Sequence, residues 1–107
     1  MFVYLHLQYA SEIAILILKQ IKMSKNILVT GASSGFGLLI ANKLHRKGYN
    51  VIGTSRNPEK IQSSVSFKMI ALDLDSEQSI NTLPDRLFKE IGQLDILINN
   101  AGFLVTG

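Results

Sequence analysis

The chain has no cysteine and no tryptophan and only two prolines, and its charged residues amount to 18%, below the quarter usual for globular proteins. Without cysteine there is no disulfide scaffold, no zinc knuckle and no thiol nucleophile. The basic excess is small, a formal net charge of +3 over 107 residues. No run of Lys and Arg interleaves with aromatics, so nucleic acid is not an expected partner. His6 has no carboxylate or second histidine at ligand spacing, and no metal is expected. His45 stands among Lys43, Arg46 and Lys47 and reads as solvated. What the chain does have is 47% hydrophobic residues, enough to exclude a disordered tail and to build one small α/β domain.

Residues 1–22 differ from the rest. Residues 1–18 are apolar except for His6, Gln8, Ser11 and Glu12. As a membrane span the stretch is marginal: its aliphatic and Phe residues contribute about −4.5 kcal/mol, which Glu12 and its polar neighbours largely cancel. A secretory signal places basic residues ahead of the apolar run, whereas Lys19 and Lys22 follow it. The plainer reading starts the folded protein at Met23, just before a strand-like run, and sets residues 1–22 outside the fold as an apolar extension. Membrane contact through residues 1–22, or an added helix there, is the lesser alternative. The expected location is cytoplasmic.

From Met23 the elements alternate. Residues 27–30 form an aliphatic, β-branched run suited to a buried parallel strand. A glycine-rich turn follows, then helical spacing with Phe36, Ile40 and Leu44 on one face beside Gly37 and Ala41, and with Gly48 as the stop. Residues 49–55 read as a second strand and residues 59–63 as a short helix. Residues 65–72 read as a third strand. Asp75 with Gln78 resembles a capping box opening a helix through Ile80, Leu83, Leu87 and Ile91, interrupted at Pro84. Residues 94–98 read as a fourth strand, with Asp95 at the surface. The order βαβαβαβ predicts a parallel sheet with helices on both faces.

Chemistry concentrates at Thr30-Gly31-Ala32-Ser33-Ser34-Gly35-Phe36-Gly37, between the first strand and first helix. A diphosphate there needs backbone N–H groups within hydrogen-bonding distance and no side chain in the way. Gly31 permits the tight turn, Gly35 the approach to the phosphates, and Gly37 the close lie of the helix on the sheet. Ser33 and Ser34 can add hydroxyl hydrogen bonds, and the helix N-terminus adds partial positive charge.

This turn, Asp73 after the third strand, and Asn99-Asn100-Ala101-Gly102 after the fourth resemble the short-chain dehydrogenase/reductase family, over residues 23–107. The resemblance implies a Rossmann-type doubly wound parallel sheet, here truncated to about four strands in the order 3-2-1-4. It also implies a dinucleotide cofactor at the carboxyl ends of the strands. The expected cofactor contacts are Gly31, Ser33, Ser34, Gly35, Phe36, Gly37, Ser55, Arg56, Asp73, Leu74, Asn100, Ala101 and Gly102. An NAD site holds the ribose 2′-hydroxyl with a carboxylate about 20 residues past the glycines. Ser55 stands there instead, followed by Arg56, which can pair with a 2′-phosphate, so NADP is favoured over NAD. A solvated loop residue is the alternative for Arg56. Many NADP-preferring relatives carry a second basic residue just before the middle glycine, where this chain has Ser34.

The resemblance further implies that Asp73-Leu74 meets the adenine ring, with helix capping as the alternative for Asp73. It implies that Asn99 and Asn100 tie the fourth strand to its neighbour, and that residues 100–102 line the cofactor ribose. The family's catalytic serine and Tyr-x-x-x-Lys pair lie beyond the Asn-Asn-Ala-Gly motif. Four residues after Tyr4, Tyr9 and Tyr49 stand Gln8, Ile13 and Gly53, so no catalytic residue is carried over. The expectation is the cofactor-binding part of an oxidoreductase for alcohols or carbonyls, inactive by itself. The alternative is a non-catalytic dinucleotide-binding or interaction module. With four strands the fourth would lie at an edge, and residues 23–107 alone should self-associate or fold incompletely.

Overall fold

In the computed structural model residues 3–6 and 25–100 are described. Strand β1 is Val3–His6 and β2 is Asn26–Val29. Helix α1 spans Gly35–Arg46, and β3 spans Asn50–Ser55. Two short 3-10 turns, Pro58–Lys60 and Gln62–Ser64, lead to β4, Lys68–Ala71. Helix α2 spans Glu77–Glu90 and β5 spans Ile96–Asn99. The sheet is parallel, in the order β1-β5-β2-β3-β4.

The order expected for the four strands of residues 23–107 is therefore found, with one more strand beside it. Val3–His6 pairs with Ile96–Asn99, Val3 opposite Ile96 and His6 opposite Asn99. Part of the extension thus joins the sheet, and β5 has a neighbour on each side. The edges among the described residues are β1 and β4 rather than β5. The sequence hides β1 because Val3-Tyr4-Leu5-His6 lies within an apolar run that carries neither a period of two nor a turn residue.

Alternation of side chains across the strands makes two cores. On one face, Ile40, Ala41 and Leu44 of α1 pack with Ile27, Val29, Val51, Met69, Ile96 and Ile98. On the other, Leu87 and Ile91 meet Leu28, Ile52 and Ile70. Ile27, Ile96 and Ile98 are wholly buried, each worth about 1.5–3 kcal/mol over exposure. Phe36 departs from its expected face and is 58% exposed, because the buried stripe of α1 is Gly37, Ile40, Ala41 and Leu44.

Helix α2 begins one residue later than the capping-box reading placed it. Ser76 is the N-cap, its side chain accepting from the Ser79 N–H at 3.1 Å. Pro84 does not interrupt the helix, which runs through it on its exposed side. Arg86 fastens α2 to the sheet, donating to the Ala71 carbonyl at 2.6 Å and the Ser79 carbonyl at 2.9 Å. Residues 59–63 form two 3-10 turns rather than one helix. His45 is half-buried rather than solvated, its ring centroid 6.3 Å from that of Phe67.

From β2 the chain winds through α1 to β3 and β4 on one face, then returns across the other face through α2 to β5. The direction reverses at β2, and such a reversal opens a crevice at the carboxyl ends of β2 and β5. Among the described residues no helix is long and apolar enough to cross a membrane.

Candidate functional site

The glycine-rich turn fills that crevice. Gly31 and Gly35 have φ of 66° and 60°, the left-handed region that side chains avoid. A Cβ at Gly37 would collide with the Gly31 carbonyl oxygen and lie 2.6 Å from Asn100 Nδ2. Around Gly35 the space is open, so its backbone can be approached closely from outside.

The N–H groups of the turn divide into two sets. The Gly31 N–H donates to Thr54 Oγ1 at 3.3 Å, and the Ala32 N–H to the Thr54 carbonyl at 2.9 Å. The first bond of the helix runs from the Leu38 N–H to the Ser34 carbonyl at 3.2 Å. The N–H groups of residues 33–37 between them have no partner among the described residues. Ser34 is the N-cap, yet its side chain makes no capping bond, and the first turn of α1 holds no acidic residue. Free donors at the positive end of a helix, with no carboxylate to satisfy them, form an anion site.

The fourth strand braces this turn from the other side. Thr30 Oγ1 donates to Asn99 Oδ1 at 3.1 Å and accepts from the Asn100 N–H at 2.8 Å. Asn100 Nδ2 donates to the Gly31 carbonyl at 3.1 Å. The expected tie between the asparagines and the neighbouring strand is thus made. Ala101 and Gly102 lie outside the described residues.

Beside the turn opens a cleft of about 520 Å³, lined by Gly31, Ser33, Thr54, Ser55, Arg56, Leu72, Asp73, Leu74 and Asp75. It therefore brings together one end of the glycine turn with four of the expected contacts beyond it. Ser55 Oγ is buried and has no hydrogen-bond partner among the described residues. An orphaned hydroxyl costs about 1–3 kcal/mol, so its place on the wall of a cleft fits a polar ligand group. Arg56 is exposed beside it. Asp73 Oδ1 accepts from the Asp75 N–H at 2.9 Å, closing a turn, and its second oxygen has no partner among the described residues. The Asp73 N–H is held by Ser79 Oγ at 2.9 Å. Leu74 is 45% exposed, an apolar surface on the same wall.

Thr54 and Ser79 are the site residues that sequence reasoning missed. Thr54 had a signal, as a polar β-branched residue in an inward-facing run of β3. Ser79 had none, since its role depends on where α2 docks.

Asp95 is buried rather than at the surface, at the opposite end of the sheet. Its Oδ2 accepts from the Asn26 N–H at 2.8 Å and its Oδ1 from Gln93 Nε2 at 2.7 Å. The backbone bond from Asn26, then the Gln93 bond, holds its carboxyl below the ordinary carboxylate range. Among the described residues no three His, Cys, Asp or Glu gather as a metal site.

The family profile described as short chain dehydrogenase matches residues 25–107. The chain is 41% identical over 81 residues to the 3-ketodihydrosphingosine reductase of Bacteroides thetaiotaomicron, covering 76% of this chain and 29% of that protein. It is 43% identical over 84 residues to carbonyl reductase (NADPH) 1 of Mus musculus, covering 70% and 30%. Among solved structures, the Pseudomonas aeruginosa RhlG/NADP active-site complex superposes with a TM-score of 0.65 at 33% identity, covering 75% of this chain and 35% of that one. The chain thus spans about a third of the length of the relatives it matches.

Proposed function

The chain belongs to the short-chain dehydrogenase/reductase family, and on that premise we propose that it binds a nicotinamide dinucleotide, NADP in preference to NAD, in the crevice at β2 and β5. The observation that carries this reading is the pairing of two unmet demands on one surface. The free N–H groups of residues 33–37 ask for an anion, and the orphaned Ser55 Oγ beside Arg56 asks for a second polar group across the cleft.

The diphosphate lies over Ser33, Ser34, Gly35, Phe36 and Gly37, where N–H groups and two unengaged hydroxyls supply donors without a carboxylate to repel it. Ser55 donates to the 2′-phosphate and the Arg56 guanidinium neutralises it. Asp73 and Leu74 hold the adenine ring, the carboxylate accepting from the exocyclic amine. Asn100, with Ala101 and Gly102 beyond it, lines the ribose. The cofactor supplies hydride transfer when bound. No tyrosine in the chain is followed by a lysine four positions on, and we assign these residues the binding of cofactor rather than proton transfer at a substrate. In the longer proteins of this family that role serves oxidation or reduction of an alcohol or carbonyl.

Titration of NADPH fluorescence tests the reading. NADPH should bind about tenfold or more tightly than NADH, as expected for a charge-assisted pair with the 2′-phosphate. Ser55→Asp should reverse the order by repelling the phosphate and holding the 2′-hydroxyl. Equal affinity for the two, or binding of neither, overturns it.

A further inference from the structure

Thr54 is a polar residue only 1% exposed in the middle of the sheet's carboxyl end, and it spends both of its oxygens on the glycine turn. Its carbonyl takes the Ala32 N–H, which is an ordinary continuation of the ladder. Its hydroxyl takes the Gly31 N–H, which is not. The next two residues in the chain, Ser55 and Arg56, line the cleft. One residue therefore joins the turn to the strand end that carries the other half of the site.

We propose that Thr54 is a positioning residue for the dinucleotide, setting the angle at which the turn offers its free N–H groups relative to Ser55 and Arg56. The inference rests on the cofactor reading above. Gly31, at φ 66°, is the glycine joint between β2 and the turn. With Thr54 Oγ1 in place, the Gly31 N–H is fixed against β3, and rotation there is blocked. Without it, that N–H has no other acceptor among the described residues, and only the Asn100 bond to the Gly31 carbonyl and the Ala32 bond to the Thr54 carbonyl still hold the turn against tilting. Hydrogen bonds to a diphosphate lose strength steeply with angle, so the diphosphate contacts should weaken. The 2′-phosphate contacts, made from β3 itself, should not.

Thr54→Val keeps the shape and the strand preference and removes only the hydroxyl. Thr54→Ser keeps the hydroxyl and removes the methyl. Two ligands separate the ends of the site: NADPH, which carries the diphosphate, and adenosine 2′-phosphate, which lacks it. Thr54→Val should weaken NADPH by about tenfold, the worth of a mispositioned charge-assisted contact, while leaving adenosine 2′-phosphate within about twofold. Thr54→Ser should restore NADPH binding to near that of the parent chain. Hydrogen exchange without ligand gives an independent reading: Thr54→Val should speed the Gly31 amide while the Ala32 amide, bonded to the Thr54 carbonyl, keeps its protection.

A parallel loss of both ligands with a falling Tm, or no rescue by Thr54→Ser, overturns the inference. So does unchanged exchange at Gly31. If the parent chain binds neither ligand, the cofactor reading fails, and the exchange result alone decides whether Thr54 holds the turn.

Discussion

The two ends of the sheet handle their polar groups in opposite ways. At the amino end, Asn26 is enclosed by partners: its N–H meets Asp95, its Nδ2 meets the Gln93 carbonyl at 2.7 Å, and its Oδ1 accepts from Asn50 Nδ2 at 2.7 Å. Asp95 in turn has both oxygens engaged. At the carboxyl end, glycines in the left-handed region, five N–H groups unpaired among the described residues and a hydroxyl without a partner there stand within one crevice. The lesson is that an end built for stability satisfies itself. An end built for binding leaves its satisfaction to something else, and braces the unsatisfied groups so that they stay in place.

That contrast can be broken at several points. The largest effect should come from Gly37→Ala, whose new methyl has no room against the Gly31 carbonyl and Asn100. Overpacking of this kind costs about 3 kcal/mol, so Tm should fall by roughly 10 °C or more and NADPH titration should show no binding. Thr30→Val should come next. It removes the hydroxyl shared by Asn99 and the Asn100 N–H, a loss of about 1–3 kcal/mol in chemical denaturation, with weaker cofactor binding.

The amino end should respond to acid instead. The Asp95 carboxyl is depressed in the folded chain, so its stabilisation is present above the ordinary carboxylate pKa and disappears as pH falls through the lower, folded value. Thermal melts across the acid range should show this loss, and Asp95→Asn should flatten it while leaving NADPH affinity at neutral pH unchanged. The smallest effect on stability belongs to Ser55→Ala. Because Ser55 Oγ has no partner among the described residues to lose, and its unpaired burial is itself a cost, Tm should hold or rise rather than fall, while the preference for NADPH over NADH narrows.

The carboxyl end was the more legible of the two in the sequence. Glycine at positions 31, 35 and 37 announces a backbone that must be approached or must turn sharply, and the structure shows both. The face of α1 was readable from Ile40, Ala41 and Leu44, although Phe36 broke from it, since a residue in a helix's first turn belongs as much to the preceding loop as to the stripe. The amino end was nearly silent. Asp95 beside Leu94 reads as a surface carboxylate, and only its partner Asn26, distant in sequence, explains its burial. Ser76 rather than Asp75 is the cap, accepting from the Ser79 N–H, a choice local pattern leaves open because either residue has a backbone donor three positions on. Strand β1 was invisible because its apolar run has neither a period of two nor a turn residue to bound it, and its pairing partner is at the far end of the chain.

That last pairing has a bearing on how the chain comes to be folded at all. Strand β5 lies between β1 and β2, so β1 has no neighbour in the sheet until the last described strand has added to β2. Contacts such as Val3 with Ile96 close very long loops, which slows folding and leaves hydrophobic edges bare in the meantime. The glycine turn is braced by Asn99 and Asn100 at the end of β5. A growing chain on the ribosome therefore has an unbraced turn until residues 96–100 emerge, and the strand that braces it is also the one that gives β1 its place in the sheet.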